Sequence, residues 1–133
     1  MTNLENDFIF IQGSNNVIKL RDGEIFGVIE EFTSRNDGAD RASIAKVTLF
    51  GPDFLHYHRI TEETYICLEG YGKIYLNGKI FPFHPGVKVI IKPGTIHAAQ
   101  PEKGERLVFL CISSPAYNSN DVFVFEDRIS RNW

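Results

Sequence analysis

Two of the four histidines in this chain are written His56-Tyr57-His58. In a strand, side chains two residues apart point to the same face, so these imidazoles can converge on one ion. Glu63 lies five residues beyond His58, and on an unbroken strand that odd spacing would turn it to the opposite face. The polar residues Arg59, Thr61 and Glu62 instead predict a short connection, with Glu63 opening the next strand and facing back. His97 follows a Pro93-Gly94 turn and can begin a further strand at the same end of the domain. Three neutral imidazoles and one carboxylate suit a first-row divalent metal such as iron, manganese, nickel, copper or zinc. Calcium and magnesium prefer oxygen-rich sites. With four protein ligands, an octahedral ion keeps two positions open for water, substrate or dioxygen.

Other residues could support such a centre. Tyr65, two residues after Glu63, shares its inward face; it is the candidate catalytic residue, a phenol that can hydrogen-bond a substrate oxygen, unless it is a core aromatic beside the site. Cys67 continues that face and reads as a structural thiol. His84, before Pro85, belongs to a turn and is expected at the surface. Lys46 and Thr48 share the face opposite Ala45, Val47 and Leu49; they are expected on a solvated outer face, and Lys46 would become an anion anchor only if that face turned inward.

The elements that must position these groups are strands. Asp22-Gly23 separates Val17–Arg21 from Glu24–Ile29, and Asn77-Gly78 separates Lys73–Leu76 from Lys79–Phe83. Both are two-residue hairpin signals, because residues tolerating positive φ match the twist of paired strands. Pro85-Gly86 and Pro93-Gly94 fit the central positions of type II turns. Between such marks lie β-branched and aromatic runs at Ser43–Phe50, Thr64–Leu68, Val87–Ile91, Leu107–Ile112 and Val122–Phe125. No segment carries a sustained helical period with caps. Many short strands spaced by turns predict an all-β sandwich or barrel. Phe8-Ile9-Phe10-Ile11 is expected to pack on its own barrel or to add a strand to a neighbour's sheet.

At 133 residues and 43% hydrophobic content the chain fits one domain with a filled core. Its net charge of −3, without a basic patch interleaved with aromatics, gives no footprint for nucleic acid. The polar, acidic stretch Met1 to Asp7 lacks the features of a secretion signal, and no apolar run approaches the ~20 residues that cross a bilayer. Cys67 and Cys111 sit in apolar β-like runs and read as reduced thiols. A cytoplasmic protein without a membrane partner is the expectation.

The segment Gly51-Pro-Asp-Phe-Leu-His56-Tyr-His58, followed by Glu63 and Gly70, resembles the first cupin motif, and Gly86 through His97 resembles the second. Motif 1 spans 51–70 and motif 2 spans 86–101, with fifteen residues between Gly70 and Gly86, similar to the spacing in small single-domain bacterial cupins. Three departures stand out: Gly51 is one residue nearer to His56 than usual, Lys92 replaces the first proline of motif 2, and Pro101 replaces its late asparagine. None removes a ligand. The resemblance implies one cupin domain over 1–133, a double-stranded β-helix or jelly-roll barrel of six to eleven strands, a metal held by His56, His58, Glu63 and His97, and a homodimer. The stretch Ser113 to Asp121 resembles the segment that closes many such barrels and is expected to cap one end.

As a marker of reaction the motifs are weak, because the fold hosts dioxygenases, isomerases, epimerases, decarboxylases, storage proteins and sensing modules. The leading expectation is a metal-dependent enzyme, of dioxygenase or isomerase type, acting on a small oxygen-rich molecule such as a sugar derivative, keto acid or diol. The alternative is a non-catalytic module that binds a small ligand. A purely structural cupin ranks last.

Overall fold

The computed structural model describes residues 8–128 and Trp133; the polar stretch Met1 to Asp7 lies outside them. Among the described residues the architecture is eleven strands in two antiparallel sheets. The larger sheet runs β1 (Asn16–Asp22), β2 (Glu24–Glu31), β3 (Ser43–Leu49), β10 (Leu107–Ser114), β5 (Glu62–Glu69) and β8 (Lys88–Ile91). The smaller runs β11 (Phe123–Glu126), β4 (Leu55–Tyr57), β9 (His97–Pro101), β6 (Gly72–Leu76) and β7 (Lys79–Phe83). This is the jelly-roll arrangement expected from the sequence.

Turn chemistry sets the register. Asn77 (φ 48) and Gly78 (φ 87) both take positive φ, and Leu76 pairs with Lys79 across a two-residue loop. Gly86 and Gly94 also have positive φ, and their turns close through Val87 N–H donating to His84 O and Thr95 N–H to Lys92 O. The first hairpin departs from expectation. Asp22 pairs directly with Glu24, so Gly23 alone turns the chain, and an irregularity between Leu20 and Arg21 absorbs the missing residue.

Alternation along the strands sends one face of each sheet into the core. Leu49, Ile74, Phe83, Ile91, Leu107 and Phe109 are 0–2% exposed there. Phe109 packs against Tyr65 at 4.6 Å between ring centroids and edge-on against Phe83 at 5.5 Å. Lys46 lies on the outer face of β3 as expected, paired with Glu30 at 3.4 Å. Phe8 to Ile11 contradict the self-packing expectation. They are 51–77% exposed and belong to no strand, although Ile9 Cδ1 lies beside Gly38.

Gly70, the last residue of motif 1, has a physical reason to be glycine. It has φ +92 between β5 and β6, and a Cβ there would run into the carbonyl oxygen of Arg106. Gly86 has φ +99 but faces open space. Gly70→Ala is therefore expected to cost about 2–4 kcal/mol, positive-φ strain plus a backbone clash, and Gly86→Ala only about 1–2 kcal/mol from the strain alone. Chemical denaturation of the two variants checks the difference; equal losses would contradict it.

Candidate metal centre

The four residues singled out by spacing come together. One nitrogen from each histidine and one Glu63 oxygen all lie within 4.8 Å of one another, about twice a metal–ligand bond of ~2.0–2.2 Å. His56 lies in β4 and pairs with His97, the first residue of β9. His58 follows β4, and Glu63 sits near the start of β5 after the short connection through Arg59 to Thr61. His58 and Glu63 are each 4% exposed and His97 is 0% exposed.

That connection is held from a distance. The carboxylate of Asp121 accepts hydrogen bonds from the backbone N–H groups of Arg59, Ile60 and Thr61 at 2.9–3.1 Å. Burial would raise its pKa, but these three donors outweigh burial and lower it. The Gly94 N–H donates to His58 O at 2.6 Å, tying the turn of motif 2 to motif 1. The segment expected to cap one barrel end thus also shapes the site: a short 3₁₀ turn at Ser119–Asp121 carries the anchor.

The hydrogen bonds of the histidines define what the cluster can bind. His56 Nδ1 faces Phe54 O at 2.8 Å, His58 Nδ1 faces Asp121 O at 2.9 Å, and His97 Nδ1 faces Thr95 O at 2.8 Å. A carbonyl oxygen only accepts, so each Nδ1 carries the proton and donates it. In the neutral ring each Nε2 is then left with a lone pair. His58 Nε2 and His97 Nε2 lie 2.9 and 3.0 Å from Glu63 Oε1, itself an acceptor. Buried acceptors converging on one another require a positive charge among them. A divalent metal satisfies the three Nε2 atoms and Oε1 together, so the donor set fits such an ion.

Protons compete with a metal for these lone pairs, and the surroundings weight that competition differently at each residue. Burial pushes the His56 pKa down, which keeps that lone pair available. For His58 burial also acts downward, but the hydrogen bond and charge of Glu63 outweigh it and the pKa rises. Burial would raise the Glu63 pKa, yet the adjoining His58 and His97 imidazoles, which turn positive on protonation, hold it well below the carboxylate range. Glu63 is ionised at neutral pH.

Around Glu63 stand two further groups. Tyr65, on the expected inward face, directs its hydroxyl to Glu63 Oε1 at 3.4 Å, and burial first, then the charge of Glu63, raises its pKa well above 10. Cys111 Sγ donates to Glu63 Oε2 at 3.1 Å. In the sequence Cys111 is a thiol in an apolar run; its place beside the site follows only from the β10–β5 register, in which Cys111 pairs with Tyr65 and Ser113 with Glu63. Cys67 stays in the core and His84 stacks on Tyr71 at 4.9 Å, away from the cluster, both as expected.

Fold and cluster together define a jelly-roll barrel with a three-histidine, one-carboxylate site. Residues 50–113 match the family model of the cupin domain, and the barrel is a cupin fold. The chain is 35% identical over 72 residues to an uncharacterized protein of Methanocaldococcus jannaschii, a match covering 54% of this chain and 58% of that one. It thus spans little more than half the length of this curated relative. Among solved structures, a protein from Planctomyces limnophilus superposes with TM-score 0.73 at 18% identity, covering 90% of this chain and 99% of that one. A cupin-2 domain protein from Rhodospirillum rubrum gives 0.69 at 14% identity, covering 91% and 82%. A Streptomyces nucleoside dehydratase, Pac13, gives 0.68 at 14% identity, covering 87% and 92%. At these identities the likeness is one of fold.

Mass spectrometry of untagged protein is expected to find about one equivalent of a transition metal, and little in a His56→Ala/His58→Ala variant. Metal binding needs neutral Nε2 lone pairs, and the raised His58 pKa lets protons compete from above the ordinary histidine value of ~6.5. Affinity should therefore be full at pH 8 and fall steeply towards pH 5.5. A flat zinc affinity across that range would contradict the histidine assignment.

Proposed function

We propose that the protein is a metal-dependent enzyme acting on a small oxygen-bearing molecule bound directly beside His56, His58 and Glu63. One observation carries this reading: these three residues line a cavity of about 230 Å³, while His97 holds the cluster from behind. Ligand residues facing a cavity are the mark of a reactive rather than a closed structural centre. A bound divalent ion would polarise a carbonyl or hydroxyl oxygen or, if redox-active, support chemistry with dioxygen.

The chain's own residues have definite parts in this reading. Glu63 stays ionised and holds its orientation between two imidazoles and the Cys111 thiol. Tyr65 lines the same cavity, and its raised pKa keeps it a phenol that donates a proton or a hydrogen bond. Support for the homodimer comes from apolar side chains such as Ile90 and Ile60, 63% and 68% exposed. The expected cytoplasmic setting stays part of the proposal; among the described residues no helix is long and apolar enough to cross a membrane.

Turnover assays on iron- and zinc-loaded protein test the enzyme reading, oxygen uptake marking a dioxygenase and anaerobic conversion an isomerase. Tyr65→Phe is expected to keep its metal and slow turnover at least tenfold. Saturable ligand binding that raises the melting temperature without turnover would replace the enzyme with a binding module. Sedimentation should give twice the chain mass; a monomer at micromolar concentration would contradict the dimer.

A further inference from the structure

The cavity is asymmetric in both polarity and charge. Hydrocarbon comes from both sheets: the β1–β2 hairpin supplies Ile18, Leu20 and Ile29, and Val122, with Val124 of β11, adds to it. The floor holds the metal-ligand cluster. Three carboxylates, Glu31, Asp53 and Glu63, line it, and among the described residues no lysine or arginine does. Lys46, the sequence's candidate anion anchor, is committed to Glu30 on the outer face. His58 Nε2, in a side chain 4% exposed, has no hydrogen-bond donor and its residue lines the cavity, so an ion held there would be open to the cavity.

Charge and shape select a class of occupant. Even with a divalent ion in place, three carboxylates outweigh its two positive charges. An anion such as a keto acid or a phosphorylated sugar would bring its charge among carboxylates with no cationic side chain to receive it. A sugar, hydroxylated on every side, would find partners in the Thr33, Ser43, Ser113 and Tyr117 hydroxyls but would still press others against the isoleucine, leucine and valine side chains, where they lose water without a partner. The volume, about 230 Å³, displaces roughly eight waters at ~30 Å³ each, enough for a small molecule and too little for a polymer.

We infer that the cavity selects a small, uncharged molecule with one oxygen-bearing edge that reaches the metal cluster and a hydrocarbon or aromatic body that lies on the hairpin wall, with Glu31 and Asp53 excluding anions. This narrows the substrate class and rests on the proposed metal site. Salicylamide and salicylate are suitable probes, because they share shape and donor edge and differ in charge.

Calorimetric titration of zinc-loaded protein is expected to show salicylamide binding at least tenfold more tightly than salicylate. In a Glu31→Gln/Asp53→Asn variant, salicylate affinity should rise at least tenfold while salicylamide changes less than twofold. If the double variant fails to fold, the two single variants carry the same comparison. Salicylate bound as tightly as salicylamide by the wild type, or unchanged by the variant, overturns the inference, as does the absence of binding by either probe to protein that holds zinc. Zinc content of the same samples separates the two readings. Protein that takes up no zinc sinks the metal centre, and the preference between the probes is then decided on the zinc-free protein.

Discussion

The organising interaction is the Glu63 carboxylate buried between His58 Nε2 and His97 Nε2 at 2.9 and 3.0 Å. Each imidazole has its Nδ1 proton committed to a backbone carbonyl, so the facing atoms are all acceptors. Such a cluster is costly without a cation, and breaking up a buried charged group of this kind destabilises strongly. Its geometry depends on distant parts of the chain. The carbonyls come from Phe54 before β4, Thr95 before β9 and Asp121 near the C-terminal end. The sheet register, the Pro93-Gly94 turn and the Asp121 anchor all serve to keep three lone pairs aimed at one point.

The division of the barrel follows from this arrangement. The hydrocarbon core around Phe83 and Phe109 fixes Tyr65 from one side. The opposite side opens into the cavity, where the β1–β2 hairpin faces the cluster. Solved structures at 14–18% identity share the barrel, and a barrel common to many chemistries leaves selectivity to the side chains of its cavity. Here those side chains include hydrocarbon from the β1–β2 hairpin and, beside it, carboxylates and hydroxyls.

Much of this was legible in the sequence where local physics acts. The His56-Tyr57-His58 alternation reads directly as one face of a strand, and Asn77-Gly78 reads as a two-residue turn because both residues accept positive φ. The displacement of Glu63 by a polar connection was legible as well. Asp121 was not, since it acts on a turn some sixty residues away in sequence. Cys111 was hidden for a similar reason: its neighbour Glu63 lies 48 residues away, on the other strand of a ladder whose register no local pattern specifies. Glu31 and Asp53 look like ordinary polar residues until closure of the barrel places them on one cavity. Phe8 to Ile11 mislead in the other direction, because a short apolar run carries no information on whether space remains in the core.

The central claim is that one ion is held by three Nε2 atoms and one Glu63 oxygen. Anomalous diffraction from crystals of the metal-loaded protein, collected on either side of the metal's absorption edge, tests it most directly. The account predicts a single strong peak bonded to His56, His58, His97 and Glu63 at ~2.0–2.2 Å, with each Nδ1 still donating to its carbonyl. A peak elsewhere, ligation through Nδ1, or a cluster without a peak in protein soaked in excess metal would contradict it.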